Sequence, residues 1–450
     1  MYETLVRIPH AIGPLPVFGA GWALMGWIAA WIVRMLWLWR SEISSPVDDE
    51  RPIGADDRSD QEKSPSKVGL MLSESLFWAI AAGVIWKVLP AVELRNVDDD
   101  PVGLAVRGYG VFLLCGVVAA VALAAYRAKR FGLSGDIILQ MAPWAFFGGI
   151  FGARLFYIVQ YRERFYDPSP LKMLANVANF TEGGLVVYGS FIGGGLALLF
   201  FILRHRLPVL RLGDVVVPSL FIGVFFGRMG CLMYGCCWGG ACEPAWYALR
   251  FPQGSPAYRS QLADGTLVGL DIEGDGKIAA IANGSLAEKR GVRAGEEVTA
   301  WSLDDSAKYT FDRDLPASEL PMGIAAEIDG RPVRFRADEL PPRALPLYPA
   351  QVISSLGSLL LCLGLSSIRP HQLRDGTIMW LGFIGYALLR FVLELVRADE
   401  AGQFGTSMSI SQWVSVVVIV LSLSGWFVQR RFTSASDASG GEVGADPATV

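Results

Sequence analysis

Histidine is nearly absent. The 450 residues include only His10, His205 and His371, so a reaction that needs an imidazole base has few places to find one. Charge is also sparse: Asp, Glu, Lys and Arg make up 18% of the chain against 52% hydrophobic residues, a balance that excludes an ordinary soluble domain. The formal net charge of −4 gives no basic excess and no reason to expect nucleic-acid binding. No basic segment followed by a short apolar core and a small-residue cleavage site opens the chain, so no removable signal peptide is expected. Six cysteines do not make a disulfide scaffold at this length. Four of them nevertheless cluster, as Cys231, Cys236, Cys237 and Cys242.

What the chain does have is apolar blocks of membrane-spanning length. They predict spans at 17–38, 70–92, 109–126, 137–157, 185–203, 215–228, 348–368, 377–396 and 410–428. The fold class that follows is an all-α polytopic integral membrane protein of about nine transmembrane helices, with a small mixed α/β or mainly β extracytoplasmic insert. Basic clusters at 127–130, 204–211, 369–374 and 430–431 fall on one side if the spans alternate, and the positive-inside rule makes that side the cytoplasm. The N-terminus, the stretch from Gly227 to Gly239 (GRMGCLMYGCCWG) and the residues after Arg397 then face outward.

The chain divides accordingly into two additional spans (1–40 and 70–95) joined by a cytoplasmic polar linker (41–69). A membrane core follows in two parts, 96–242 and 347–430, separated by an extracytoplasmic insert over 243–346, and a disordered cytoplasmic tail is expected over 431–450. Inside the insert, short β-like runs flank a small helix started by Ser285 and stopped by Gly291. The segment from Ile278 to Val298 resembles part of a PDZ domain, which implies a peptide ligand bound by strand addition.

Polar residues recur inside spans or where spans meet the outer face. They are Tyr109, Arg154, Glu182, Tyr188, Arg228, Tyr348 and Gln351, and then Tyr386, Arg390, Glu394 and Arg397, whose spacing puts them on one face of a helix. Charge on a membrane helix needs partners inside the bundle. An Arg390–Glu394 ion network with snorkelling arginines is one account. The other is an anion, such as a phospholipid headgroup, gathered by several arginines that would otherwise repel one another.

The motifs RGYG, GARLFY, EGGLVVYGSFIGG, GRMGCLMYGCCWGG, LYPAQ, YALLRFVLELVRADEAGQF and SMSISQWVSVVVIV occur in that order. Together they resemble the prolipoprotein diacylglyceryl transferases, from about Arg107 to Val428 without the insert. The resemblance implies a bacterial plasma-membrane enzyme, multi-pass, with its active site facing the outer leaflet. Its partners would be phosphatidylglycerol and prolipoprotein signal peptides carrying a lipobox cysteine, with no cofactor and no metal. The diacylglyceryl group would pass to the lipobox thiol with release of glycerol 1-phosphate. By matching position Arg228 and Arg390 are the essential arginines and Gly239 ends the glycine motif. Glu394 and Arg397 would orient Arg390, while Tyr109, Arg154 and Tyr386 would line the substrate cavity.

Three positions depart from the family's pattern. Tyr188 stands where many members have the histidine proposed as thiol base, Cys231 where they have asparagine, and Cys236 where they have glutamate. A tyrosine with an ordinary pKa of about 10 is a poor base at neutral pH unless an arginine lowers it, so Tyr188 is a candidate for positioning the thiol or helping to deprotonate it. For the cysteines, a disulfide of Cys236 or Cys237 with Cys242 suits the oxidising outer face. Free thiols, a redox pair and a zinc site remain open, the last made awkward by the adjacency of Cys236 and Cys237. Two other functions also stay open: a non-catalytic relative that binds lipid or signal peptides, and a membrane thiol-redox protein.

Overall fold

The computed structural model describes residues 4–41, 67–96, 98–165, 184, 186–304, 322–368, 374–397, 406 and 408–440. Most of the polar linker, Glu182 and the last ten residues lie outside them. By internal contact the chain forms two units, Tyr109–Phe251 with Leu345–Val450, and Tyr2–Gly108 with Pro252–Ala344.

The second of these contains a strand β1 (Thr4–Pro9), helices α1 (Trp22–Ser41) and α2 (Lys67–Gly83), and strands β2 (Leu94–Arg95) and β3 (Pro101–Arg107). β3 lies between β1 and β2 in an antiparallel sheet. The two helices meet through Trp27, whose indole N–H donates to the Trp78 carbonyl at 3.0 Å. His10 Nδ1 lies 2.6 Å from the buried carboxylate of Glu93.

The membrane unit opens with α3 (Gly108–Arg130) and α4 (Gly135–Gln160), the latter started by Ser134, whose hydroxyl accepts from Asp136 N–H at 3.2 Å. Next come α5 (Val187–Arg204) and α6 (Val209–Tyr234). α4 and α5 are packed backbone to backbone: a Cβ on Gly148 would stand 2.9 Å from Gly193 O, and one on Gly189 2.9 Å from Ala153 Cα. Small residues are what allow helices in an apolar solvent to approach so closely. The opposite faces carry Phe147, Phe151 and Phe191 outward, an arrangement suited to lipid and not to water.

The insert supplies α7 (Pro256–Ala263), a hairpin of β4 (Leu270–Ile272) and β5 (Ile278–Ile281), the short α8 (Leu286–Lys289), and strands β6 (Val298–Asp304), β7 (Gly323–Ile328) and β8 (Arg331–Phe335). The last three form an antiparallel sheet with β7 central. α8 starts as expected at Ser285, whose hydroxyl accepts from Glu288 N–H at 3.2 Å, and stops before Gly291 at φ +74°. Tyr258 of α7 is buried and donates to Pro341 O at 2.9 Å; burial pushes its phenol up to about 12. The insert's unit runs from Pro252 to Ala344, inside the expected 243–346, because Ala241 and Leu249 both bridge to Leu347 and keep the flanking chain on the membrane unit.

Three helices complete the membrane unit: α9 (Ala350–Ser367), α10 (Thr377–Val396) and α11 (Ile410–Gly440). α11 runs past Arg431, where a disordered tail was expected to begin, as far as Gly440; the rest of the expected tail lies outside the described residues. Val217 and Phe221 of α6 pack with Cys362 and Leu365 of α9 and Ile378 of α10. Among the described residues seven helices are long and apolar enough to cross a membrane, and two shorter apolar ones, Trp22–Trp37 and Tyr188–Arg204, fall at the other two expected spans.

A buried carboxylate joins α6 to α10. Asp214 is 2% exposed and accepts from Gly376 N–H at 2.6 Å and Met379 N–H at 2.8 Å, two of the free donors at the start of α10. Arg127 of α3 donates to the Asp214 backbone carbonyl at 2.8 Å. Asp214→Ala strands those donors and should lower stability by about 1–3 kcal/mol. The midpoint of thermal unfolding in detergent should therefore fall; an unchanged midpoint would mean the cap contributes nothing.

Candidate functional site

α6 carries its apolar run into Arg228 and ends two turns later. Gly235 has φ +82°, and its N–H closes onto Cys231 O at 2.9 Å, a left-handed cap that favours a residue without Cβ. Cys237 follows at φ +55°, rare for a residue with a side chain. Helix α9 fastens this turn, because the buried amide of Gln351 donates to Cys236 O at 2.8 Å. Farther on, Gly239 N–H donates to Tyr348 O at 3.1 Å, Tyr348 N–H to Gly240 O at 2.9 Å, and Gly240 N–H to Val396 O at 3.1 Å.

The turn brings Cys231, Cys236 and Cys237 together, with their Sγ atoms all within 4.8 Å of one another. All four cysteines of the stretch are free thiols, so the expected disulfide of Cys236 or Cys237 with Cys242 is not formed. The reason is local. Cys242 N–H is tied to Pro346 O at 3.1 Å where the chain leaves for the insert, whereas the turn folds Cys236 and Cys237 back onto the end of α6. Hydrogen bonds from Cys231 and Cys236 hold the Cys237 thiol below the usual range, and Arg228 and Arg397 act in the same direction.

Arg228 stands one turn before Cys231 and is half-buried. It has no carboxylate partner among the described residues. Its charge acts on Tyr109 and on Cys231 and Cys237. Tyr109, in the first turn of α3, backs onto Gly230, where a Cβ would come within 3.2 Å of its ring, and its ring centroid is 6.3 Å from that of Tyr234.

The face predicted for 386–397 lies on α10 and just beyond it. Tyr386 stacks on Phe221 of α6 at 5.7 Å between centroids. Arg390 Nη2 is 3.0 Å from Glu394 Oε2 and donates to Ser411 Oγ of α11 at 2.8 Å. Glu394 is buried, and Arg390 supplies its charge partner in an apolar surrounding. Arg397 follows the helix end, with its N–H on Glu394 O at 3.2 Å.

Arg154 and Tyr188 belong to the α4–α5 pair. Arg154 is buried; it donates to Gly184 O at 3.3 Å and lies over the rings of Tyr157 and Phe165 at 5.5 and 5.3 Å. Tyr188 is 58% exposed. The convergence of three thiols is the feature that sequence reasoning did not reach. Its only signal was a cysteine spacing of five and then one across Gly235, at the exit of a helix.

A family model described as prolipoprotein diacylglyceryl transferase matches residues 101–428. A phosphatidylglycerol–prolipoprotein diacylglyceryl transferase of Rhodopirellula baltica is 40% identical over 463 residues, covering 96% of this chain and 90% of that protein. One of Clostridium tetani is 25% identical over 338 residues, covering 75% of this chain and 98% of its own length.

A Cβ at Gly239 would lie 2.7 Å from Tyr348 Cβ and 2.8 Å from its carbonyl oxygen. Gly239→Ala should therefore displace the turn, with a stability loss of about 1–3 kcal/mol. Thermal unfolding of the purified variant checks this, and a wild-type midpoint would show that the turn yields freely.

Proposed function

The chain belongs to the prolipoprotein diacylglyceryl transferase family, and we propose that it transfers the diacylglyceryl group of phosphatidylglycerol to the lipobox cysteine thiol of prolipoproteins. The observation that carries this reading is Arg228, a guanidinium at the end of an apolar helix with no carboxylate partner among the described residues. A cation so placed is ready for an anion, and phosphatidylglycerol brings one phosphate into the same layer. In this reading the site faces the outer leaflet of a bacterial plasma membrane, and the thiol attacks the glyceryl carbon that bears the phosphate ester. The departing phosphate gains charge beside Arg228, which stabilises it more in the transition state than in the bound lipid.

Arg390 is the second arginine of the proposal. It is half neutralised by Glu394 and oriented by Ser411, so it meets the phosphate from a fixed direction. Arg397 adds charge at the same helix end, Gly239 keeps the turn close to Tyr348, and Tyr109 and Tyr386 provide ring surface for the glyceryl and acyl parts. Arg154 and Tyr188 line the substrate path from the α4–α5 pair. Tyr188 positions the thiol in this reading.

Removing Arg228 should lower kcat by about 10²–10³ while leaving the fold intact, the magnitude of losing one donor to a developing anion. Transfer of labelled diacylglyceryl from phosphatidylglycerol to a lipobox peptide, by purified wild type and Arg228→Ala in detergent, checks it. Full activity in the variant would sink the assignment, and no product from folded wild type would sink the transferase reading.

A further inference from the structure

We propose that Cys231, Cys236 and Cys237 hold one zinc ion whose open fourth position takes the lipobox thiol of the substrate. The proposal rests on the transferase reading for its substrate. It rests on the thiol cluster alone for its metal.

The donor set fits. Three sulfurs bound to one zinc at about 2.3 Å stand about 3.8 Å apart in tetrahedral geometry. The three Sγ atoms here already lie within 4.8 Å of one another, as free thiols. Adjacent cysteines are usually a poor pair of ligands, yet the left-handed backbone at Cys237 lets both reach Cys231. The turn that presents them is held from outside by Gln351, which fixes the carbonyl of Cys236, as metal-site ligands are commonly held by their surroundings. Cys242 stays out of the group, so the protein supplies three ligands and leaves a fourth place empty, the pattern of catalytic zinc and not of structural zinc.

Charge fits as well. Zinc with three thiolates carries a net negative charge, and the half-buried Arg228 stands one turn before Cys231 on α6. Thiolate ligands favour soft and borderline ions, and zinc among them is redox-inert.

The site would supply a means of activating the thiol that the described histidines do not. The two described histidines are engaged elsewhere: His10 with Glu93, and His205 against Phe201 at 4.4 Å. A thiol that enters the open position is deprotonated by the metal, and its proton goes to solvent water. The sulfur electron pair then forms the C–S bond to the glyceryl carbon as the C–O bond to phosphate breaks. The C–O electron pair leaves on the phosphate oxygen, next to Arg228.

The full chain purified in detergent should contain one zinc by elemental analysis. Cys231→Ser and Cys237→Ser should lose it, and Cys242→Ser should keep it. Cobalt exchanged into wild type should give thiolate-to-metal charge-transfer absorption and tetrahedral d–d bands. A lipobox peptide should shift those bands, and the same peptide with serine for its cysteine should not. Chelated wild type should lose at least tenfold in transfer rate and recover it with zinc, a comparison that needs no variant to fold. A metal-free protein, a Cys231–Cys237 disulfide in the active enzyme, or full activity after chelation would overturn the metal site and leave the transferase standing. Peptide-shifted cobalt bands with no thioether product would support the site and overturn the transferase reading instead.

Discussion

The candidate site depends on one fully buried amide. Gln351, on α9, donates to the carbonyl of Cys236, and that bond decides where the chain goes after α6 ends. Without a partner the carbonyl would be a polar group stranded in apolar surroundings, which is among the more expensive states a backbone can adopt. With it, the turn is set, Gly239 and Gly240 reach Tyr348 and Val396, and three thiols fall together one turn beyond Arg228. α6, α9 and α10 thus each contribute one edge of the site. Changing the packing of any of them changes the geometry of the others.

Two kinds of charge share the membrane unit, and they are handled differently. Arg127, Asp214, Arg390 and Glu394 are neutralised or capped within the protein, by backbone donors and acceptors or by each other. Such charges fix how helices meet. Arg228 is the contrast, a cation whose described surroundings offer rings and thiols but no carboxylate. That difference sets Arg228 apart from the charges that hold the bundle.

Much of this was legible in the sequence. Apolar blocks marked the spans, and the four-residue rhythm of Tyr386, Arg390 and Glu394 correctly put them on one helix. The capping pair at Ser285 and Gly291 marked the small helix in the insert. What could not be read were the contacts across long separations. Asp214 stands at the edge of an apolar block, three residues after Arg211, and its donors are 162 and 165 residues away, so nothing local signals its role. The cysteines gave the opposite difficulty. Their nearness in sequence suggested a bridge to Cys242, but pairing depends on backbone direction, and the left-handed turn at 235–237 sends them back toward Cys231.

The Asp214 cap also sets an order of events during synthesis. The carboxylate leaves the ribosome on α6, long before Gly376 and Met379 exist to satisfy it. Everything between them, including the whole of the insert, must be made first. Until α10 arrives, Asp214 is an unmet acceptor in an apolar helix, and the half-built bundle has a reason to stay open. The last helices therefore close the structure, and a chain that stalls within the insert is left with Asp214 uncapped near the start of α6.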